Sequence, residues 1–129
     1  MNALTLKVLP ELLSVVQVPV PETIPVWALE ADGFLSITRT ADELSVTIES
    51  RWVPESFEGK IEESWRGLQV AGTLDFSLTG ILAGLTSPLA EAGISIFAIS
   101  TYDTDYLLVK EAVLEAACDV LRQHGHVVE

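Results

Sequence analysis

The sequence predicts an α+β fold: two ferredoxin-like subdomains, residues 1–62 and 63–129, each an antiparallel sheet with helices packed on one face. Three observations carry this. The second half alternates β-branched or aromatic runs with two stretches of helical periodicity, in the order strand, helix, strand, strand, helix, strand. The first half repeats a less regular version of that succession, and one extended sheet is the less favoured alternative. Finally, 129 residues with 49% apolar content suffice for one compact domain or two subdomains sharing an interface, but not for two large independent cores.

Residues 3–9 and 14–18 read as short strands separated by Pro10 and Glu11. The proline-rich residues 19–25 lead to Trp27 and Leu29, with room for one or two helical turns. Phe34, Ser36 and Thr38 then alternate with Leu35, Ile37 and Arg39, and Leu44, Val46 and Ile48 alternate with Ser45, Thr47 and Glu49. That is the period of two half-buried strands, with residues 40–43 as the hairpin turn. Residues 54–63 are polar, contain Gly59 and read as the connection between subdomains; a second helix near residues 51–62 is hard to place.

The second unit begins near Trp65, with Leu68 and Val70 on one face and Gly72 as the stop. From Ser77 onward, Leu78, Ile81, Leu82, Leu85 and Leu89 recur at the three-and-four spacing of an amphipathic helix. Pro88 should kink it or rearrange its last turn, and Gly93 ends it. In residues 94–100, Ile94, Ile96 and Ala98 face one way and Phe97 and Ile99 the other. Both faces of this strand are therefore expected to be covered, by the first subdomain or by a second chain. Residues 106–110 form the next strand, and residues 113–123 a helix presenting Leu114, Ala117, Val120 and Leu121. Gly125 ends that helix, leaving residues 126–128 as a final strand.

Nineteen acidic residues against seven basic give a net charge of −12. A field of that sign repels phosphate backbones, and no basic cluster offsets it, so nucleic acid is not an expected partner. The N-terminal region lacks a basic segment followed by an apolar core and cleavage site, so neither a signal peptide nor a membrane span is indicated and a cytoplasmic location is the default. Cys118 reads as a small buried thiol. His124 and His126 lie at a helix end without supporting ligands and read as exposed terminators; no metal and no cofactor is expected. Phosphate-loop, dinucleotide, zinc-helix and nucleophile-elbow motifs are all missing, so no catalytic residue is assigned and the protein is not expected to be an enzyme. Trp27, Trp52 and Trp65 are too widely spaced for a helical stripe and suit packing better than stacking on a ligand.

Two segments can carry binding. Asp75, Ser77, Leu78, Thr79 and Gly80 precede the long apolar period; ordinary capping explains them, but spare amides at a helix start also hold a ligand carboxylate, with Ser77 or Thr79 adding a hydroxyl. Ile99, Ser100, Thr101, Asp103 and Asp105 form a loop richer in hydroxyls and carboxylates than a plain hairpin requires. They either stabilise the turn or accept an amino or guanidinium group through an aspartate.

The run GTLDFSLTGILAGLTSPLAEAGISIFAISTYDTDYLLV at residues 72–109, with FLSITRTADELSVTIE at residues 34–49 and Trp27, Ala28 and Leu29 upstream, resembles the ACT-domain superfamily. Within it the likeness is to the CASTOR-related group of arginine-sensor-like proteins and their compact bacterial homologues. That resemblance implies paired ACT units acting as noncatalytic, amino-acid-responsive modules, with ligands at interfaces between units. It implies a site formed by the turn before the first helix and the loop after the second strand, the two segments already singled out, and a tendency to homodimerise. One pair of ACT-like units, fewer than in the larger eukaryotic sensors, leaves the ligand as an amino acid or related small molecule and the signalling partner unnamed. The alternative is a structural or protein-interaction module without a metabolite ligand.

Overall fold

The computed structural model describes residues 3–19, 23–72 and 79–129. In chain order the elements are β1 (Thr5–Val18), α1 (Val26–Leu29), β2 (Leu35–Arg39), β3 (Leu44–Glu49), β4 (Lys60–Val70), α2 (Ile81–Glu91), β5 (Phe97–Ser100), β6 (Asp105–Lys110), α3 (Leu114–Gln123) and β7 (Val127–Val128). Short 3-10 turns occupy Ser50–Trp52 and Glu111–Val113.

The strands form one hydrogen-bonded sheet in the order β2-β3-β1-β4-β6-β5, with β7 beside β1. β1 with β3, β2 with β3 and β5 with β6 are antiparallel, while β7 runs parallel to β1. The expectation of two separate ferredoxin-like subdomains, each with its own antiparallel sheet, is thereby corrected: one sheet carries the seven described strands, and the described residues add three α-helices. The physical reason lies in β1 and β4, which are 14 and 11 residues long.

Pro10 does not break β1. Val8 donates its N–H to the Glu129 carbonyl at 2.9 Å, so the ring nitrogen of Pro10, two residues further on, lies on the same edge of the strand. There β7 has already ended at Val128, and pairing with β3 starts only at Leu13. A missing N–H at that position forfeits no ladder bond. β4 likewise begins inside the segment that looked like a polar connection, because Glu62, Glu63 and Ser64 are exposed strand residues.

The chain resolves into two compact units, one made of residues 1–10 and 66–129 and the other of residues 11–65. In the first, Leu6, Leu68, Val70, Leu85, Leu89, Leu107, Val109 and Leu121 are fully buried against one another. In the second, Val16, Val46 and Ile48 pack with Ala28, and Trp27 meets Phe57 edge-on at 5.8 Å between centroids. Of the apolar positions that predicted α2 and α3, Leu85, Leu89, Ala117 and Leu121 are buried, Ile81, Leu82, Leu114 and Val120 are half-buried, and Leu78 lies outside the described residues; each fully buried leucine contributes about 1.5–3 kcal/mol relative to exposure.

β5 is shorter than expected and sits at the sheet edge. Phe97 and Ile99 are half-buried whereas Ala98 and Ser100 are exposed. Of the other series, Ile94 is buried and Ile96 half-buried against the core of the first unit, so the described residues cover both series in part and leave the small Ala98 open.

Candidate functional site

The β5–β6 connection is a tight turn closed largely by its own side chains. Thr101 donates its N–H to the Thr104 carbonyl at 2.8 Å, and the Thr101 hydroxyl both donates to that carbonyl at 3.0 Å and accepts the Thr104 N–H at 3.3 Å. Thr104 is buried, and its Oγ1 donates to the Val70 carbonyl of β4 at 2.7 Å. Ser100 and Asp105 face each other across the ladder, the hydroxyl donating to the carboxylate at 2.6 Å. Asp103 is exposed at the tip, and Ile99 is half-buried on β5.

At the other segment, Asp75, Ser77 and Leu78 lie outside the described residues. Thr79 and Gly80 are exposed, and Gly80 caps α2 with φ +76, a left-handed conformation that glycine adopts without strain. Its carbonyl accepts the first helical bond, from Gly84 at 2.9 Å. The amides of Ile81, Leu82 and Ala83 consequently have no acceptor within the helix, which gives this end of α2 a partial positive charge.

Along α2 runs a cavity of about 660 Å³, walled by Leu4, Thr79, Gly80, Gly84, Ser87, Glu91 and His124 among others. Its wall takes in the start of α2, which has no side-chain cap among the described residues, together with the Glu91 carboxylate and the His124 imidazole. At 1.5 Å per residue the two ends of α2 stand about 15 Å apart. Of the residues singled out from sequence, Thr79 and Gly80 line this cavity, while Ile99, Ser100, Thr101, Asp103 and Asp105 are not on its described wall. Ser87, Glu91 and His124 were missed. Gly80, Gly84, Ser87 and Glu91 recur at helical spacing opposite the leucines, and that stripe of small and polar residues was the available signal.

The two histidines differ. His124 is exposed, as expected, with Nδ1 2.9 Å from the Val120 carbonyl. His126 is buried, correcting the expectation of an exposed terminator: its Nδ1 accepts the Leu4 N–H at 3.1 Å. Burial, and then the neighbouring His124, hold its pKa below the ordinary imidazole value, with the Gly84 backbone opposing them. Cys118 is buried, and desolvation raises its thiol pKa. Among the described residues no group of three or more His, Cys, Asp or Glu side chains is placed to hold a metal ion, and no helix is long and apolar enough to cross a membrane.

Comparison with known proteins places these features in a family. An ACT-domain family profile matches residues 60–123, and an N-terminal-domain family matches residues 13–56. The human cytosolic arginine sensor for mTORC1 subunit 1 is 34% identical over 111 residues, 83% of this chain and 32% of that protein. The chain thus spans about a third of the length of the curated relatives it matches. Among solved structures, protein Atu0741 from Agobacterium tumefaciens is 36% identical, with a TM-score of 0.91 over 100% of this chain and 94% of that one. The regulatory subunit of aspartate kinase from Thermus thermophilus, at 13% identity, shares the fold with a TM-score of 0.70 over 96% of this chain and 99% of that one. By sequence and by fold, the chain belongs to the ACT-domain superfamily.

Proposed function

We propose that this regulatory, noncatalytic ACT-domain chain senses an amino acid or a related small molecule in the cytoplasm. The observation that carries the reading is the α2 cavity, whose helix-start amides beside Thr79 and Gly80, without a side-chain cap among the described residues, suit the carboxylate common to all amino acids. Likeness to a protein named as a cytosolic arginine sensor supports both the ligand class and the compartment.

The proposed ligand-binding set is Asp75, Ser77, Leu78, Thr79 and Gly80 for the carboxylate end, and Ile99, Ser100, Thr101, Asp103 and Asp105 for the remainder. Asp103, exposed at the turn tip, is the proposed contact for a positive group. A homodimer is part of the proposal, since the β5 edge and turn would then meet groups supplied by a second copy. A second reading, an interaction module with no metabolite ligand, draws support from the turn itself, where the Ser100, Thr101 and Thr104 hydroxyls already have internal partners.

Thermal-shift measurements across the common amino acids separate the two. A ligand that binds the folded form at a hundred times its Kd adds about 2.7 kcal/mol of stability. Stabilisation by one amino acid, weakened by about 1.5–3 kcal/mol of binding in Asp103→Asn, is the expected result. A flat response over a concentration range in which light scattering samples each assembly state would reject the sensor. Unchanged affinity in both D103N and D105N would reject the acidic-turn contact alone.

A further inference from the structure

We propose that His126 is a proton-operated latch: protonation at Nδ1 ejects the Leu4 amide and releases the β7 end of the chain from β1, loosening one wall of the α2 cavity. His126 is 4% exposed, and Nδ1 accepts the Leu4 N–H, so the neutral ring carries its proton on Nε2. A second proton must therefore enter at Nδ1. It would set N–H against N–H across a 3.1 Å contact, converting an acceptor into a repelling donor.

The contact matters because of what hangs on it. Leu4 lines the cavity, and its carbonyl accepts the Val127 N–H at 2.9 Å; Glu129 donates to the Leu6 carbonyl at 2.8 Å and Val8 to Glu129 at 2.9 Å. β7 is two residues long and parallel to β1, so these few bonds and the His126 contact are its attachment to that strand. On the ring's other side stands α2. Pro88 has no N–H to offer the Gly84 carbonyl four residues earlier, and the Gly84 backbone favours the charged ring, while Nε2 closes no hydrogen bond in the neutral state. Gly84 is itself a cavity residue. His126 thus lies between two pieces of cavity wall, tied to one as a neutral ring and drawn to the other when charged.

The charged and titratable groups on the surrounding elements are Lys7 and Glu11 of β1, Glu91 of α2, Glu115, Cys118, Asp119 and Arg122 of α3, His124 after it and Glu129 beyond β7. Of these, His124 acts on the ring, and its charge opposes protonation. The latch does not depend on which ligand, if any, occupies the cavity.

Nuclear magnetic resonance of the full chain tests it without a ligand. Ring nitrogen shifts should report the Nε2–H tautomer near neutral pH and then a titration of His126 below the ordinary imidazole range. Through that titration the Leu4, Val127 and Glu129 amides should lose about tenfold or more of their exchange protection beyond the intrinsic pH effect, while core amides such as Leu107 keep theirs. His126→Asn places an oxygen acceptor where Nδ1 stands but cannot be protonated, and should remove the response; His124→Gln should retain it. Protection of Leu4 and Val127 that stays constant while the ring titrates, an Nδ1–H neutral tautomer, or a full response in H126N would each overturn the latch. Should H126N fail to fold, the comparison of ring and amide titrations in the unmodified chain decides alone.

Discussion

Thr104→Val removes one oxygen from the turn beside β6 and nothing else of comparable size, so it isolates the bond that ties this turn to β4. In the native protein Thr104 is 4% exposed and its hydroxyl donates to the Val70 carbonyl at 2.7 Å across 34 residues of chain. Valine keeps the β-branched shape and the strand preference, so no cavity opens. What changes is a buried hydrogen bond, worth about 1 kcal/mol net, together with the partial desolvation cost of a carbonyl left short of a partner, which extends the range to about 3 kcal/mol. Because the carbonyl has a second lone pair, about 1.5 kcal/mol is the expected loss. With about 2.1 cal/mol/K of unfolding entropy per residue, a chain of 129 residues unfolds with about 0.27 kcal/mol/K, so Tm should fall by about 5–6 °C. Urea titration should show a lower midpoint at unchanged slope. A midpoint shift below about 0.5 kcal/mol, or a gain in stability, would refute the claim that this hydroxyl anchors the turn.

Three further substitutions follow from the same reading. At Gly33, where φ is +84 and a Cβ would collide with the Glu49 carboxylate, alanine should cost at least about 1–2 kcal/mol from the left-handed backbone alone. Pairing it with Glu49→Ala in a double-mutant cycle should recover the collision part, and strictly additive losses would show that the two residues do not meet. Ser64 carries φ 67 inside β4, so Ser64→Gly should raise the urea midpoint by about 0.5–1 kcal/mol; a lower midpoint would mean the side chain contributes more than the backbone strain removes. For His126, burial lowers the folded pKa below the ordinary value of 6.5, so the unfolded chain binds the proton first. Its contribution to stability is complete above about 6.5 and is lost as pH falls through the lowered folded value. Denaturant titrations between pH 8 and 5 should show that slope in the native chain and a shallower one in H126N; identical profiles would place the acid sensitivity elsewhere.

Where local pattern and tertiary context agree, the fold was legible. The β2–β3 hairpin is one case: the two strands and their turn are where the sequence puts them, paired antiparallel, and Thr40 closes the turn by accepting the Asp42 and Glu43 amides, although Thr47 and Glu49, on the face read as polar, are buried as well. The same holds for α3, whose buried Ala117 and Leu121 were read from spacing. Pro10 is the opposite case. A proline costs a strand only the ladder bond its N–H would have made, and whether such a bond is wanted depends on where β7 ends, more than a hundred residues away. At the start of β4 the exposed Glu62 and Glu63 belong to a strand through backbone pairing, which no apolar alternation marks. Both errors had one consequence: long strands were cut, and the cut strands were assigned to two sheets.

The candidate site divides along the same line. Hydroxyls and carboxylates around residues 99–105 have chemistry suited equally to gripping a ligand and to closing a turn, and composition alone does not choose between them. The structure gives Ser100, Thr101 and Thr104 internal partners, which leaves the exposed Asp103 as the residue on which a test bears most directly. The α2 cavity was half legible. Its helix start was found through Thr79 and Gly80, whereas Glu91 and His124 became part of one wall only because α3 delivers His124 back beside α2. His126 was read as a solvent-facing terminator because it follows a glycine at a helix end. Its burial comes from β7 lying against β1, so its surroundings are set by a segment more than a hundred residues away in the chain.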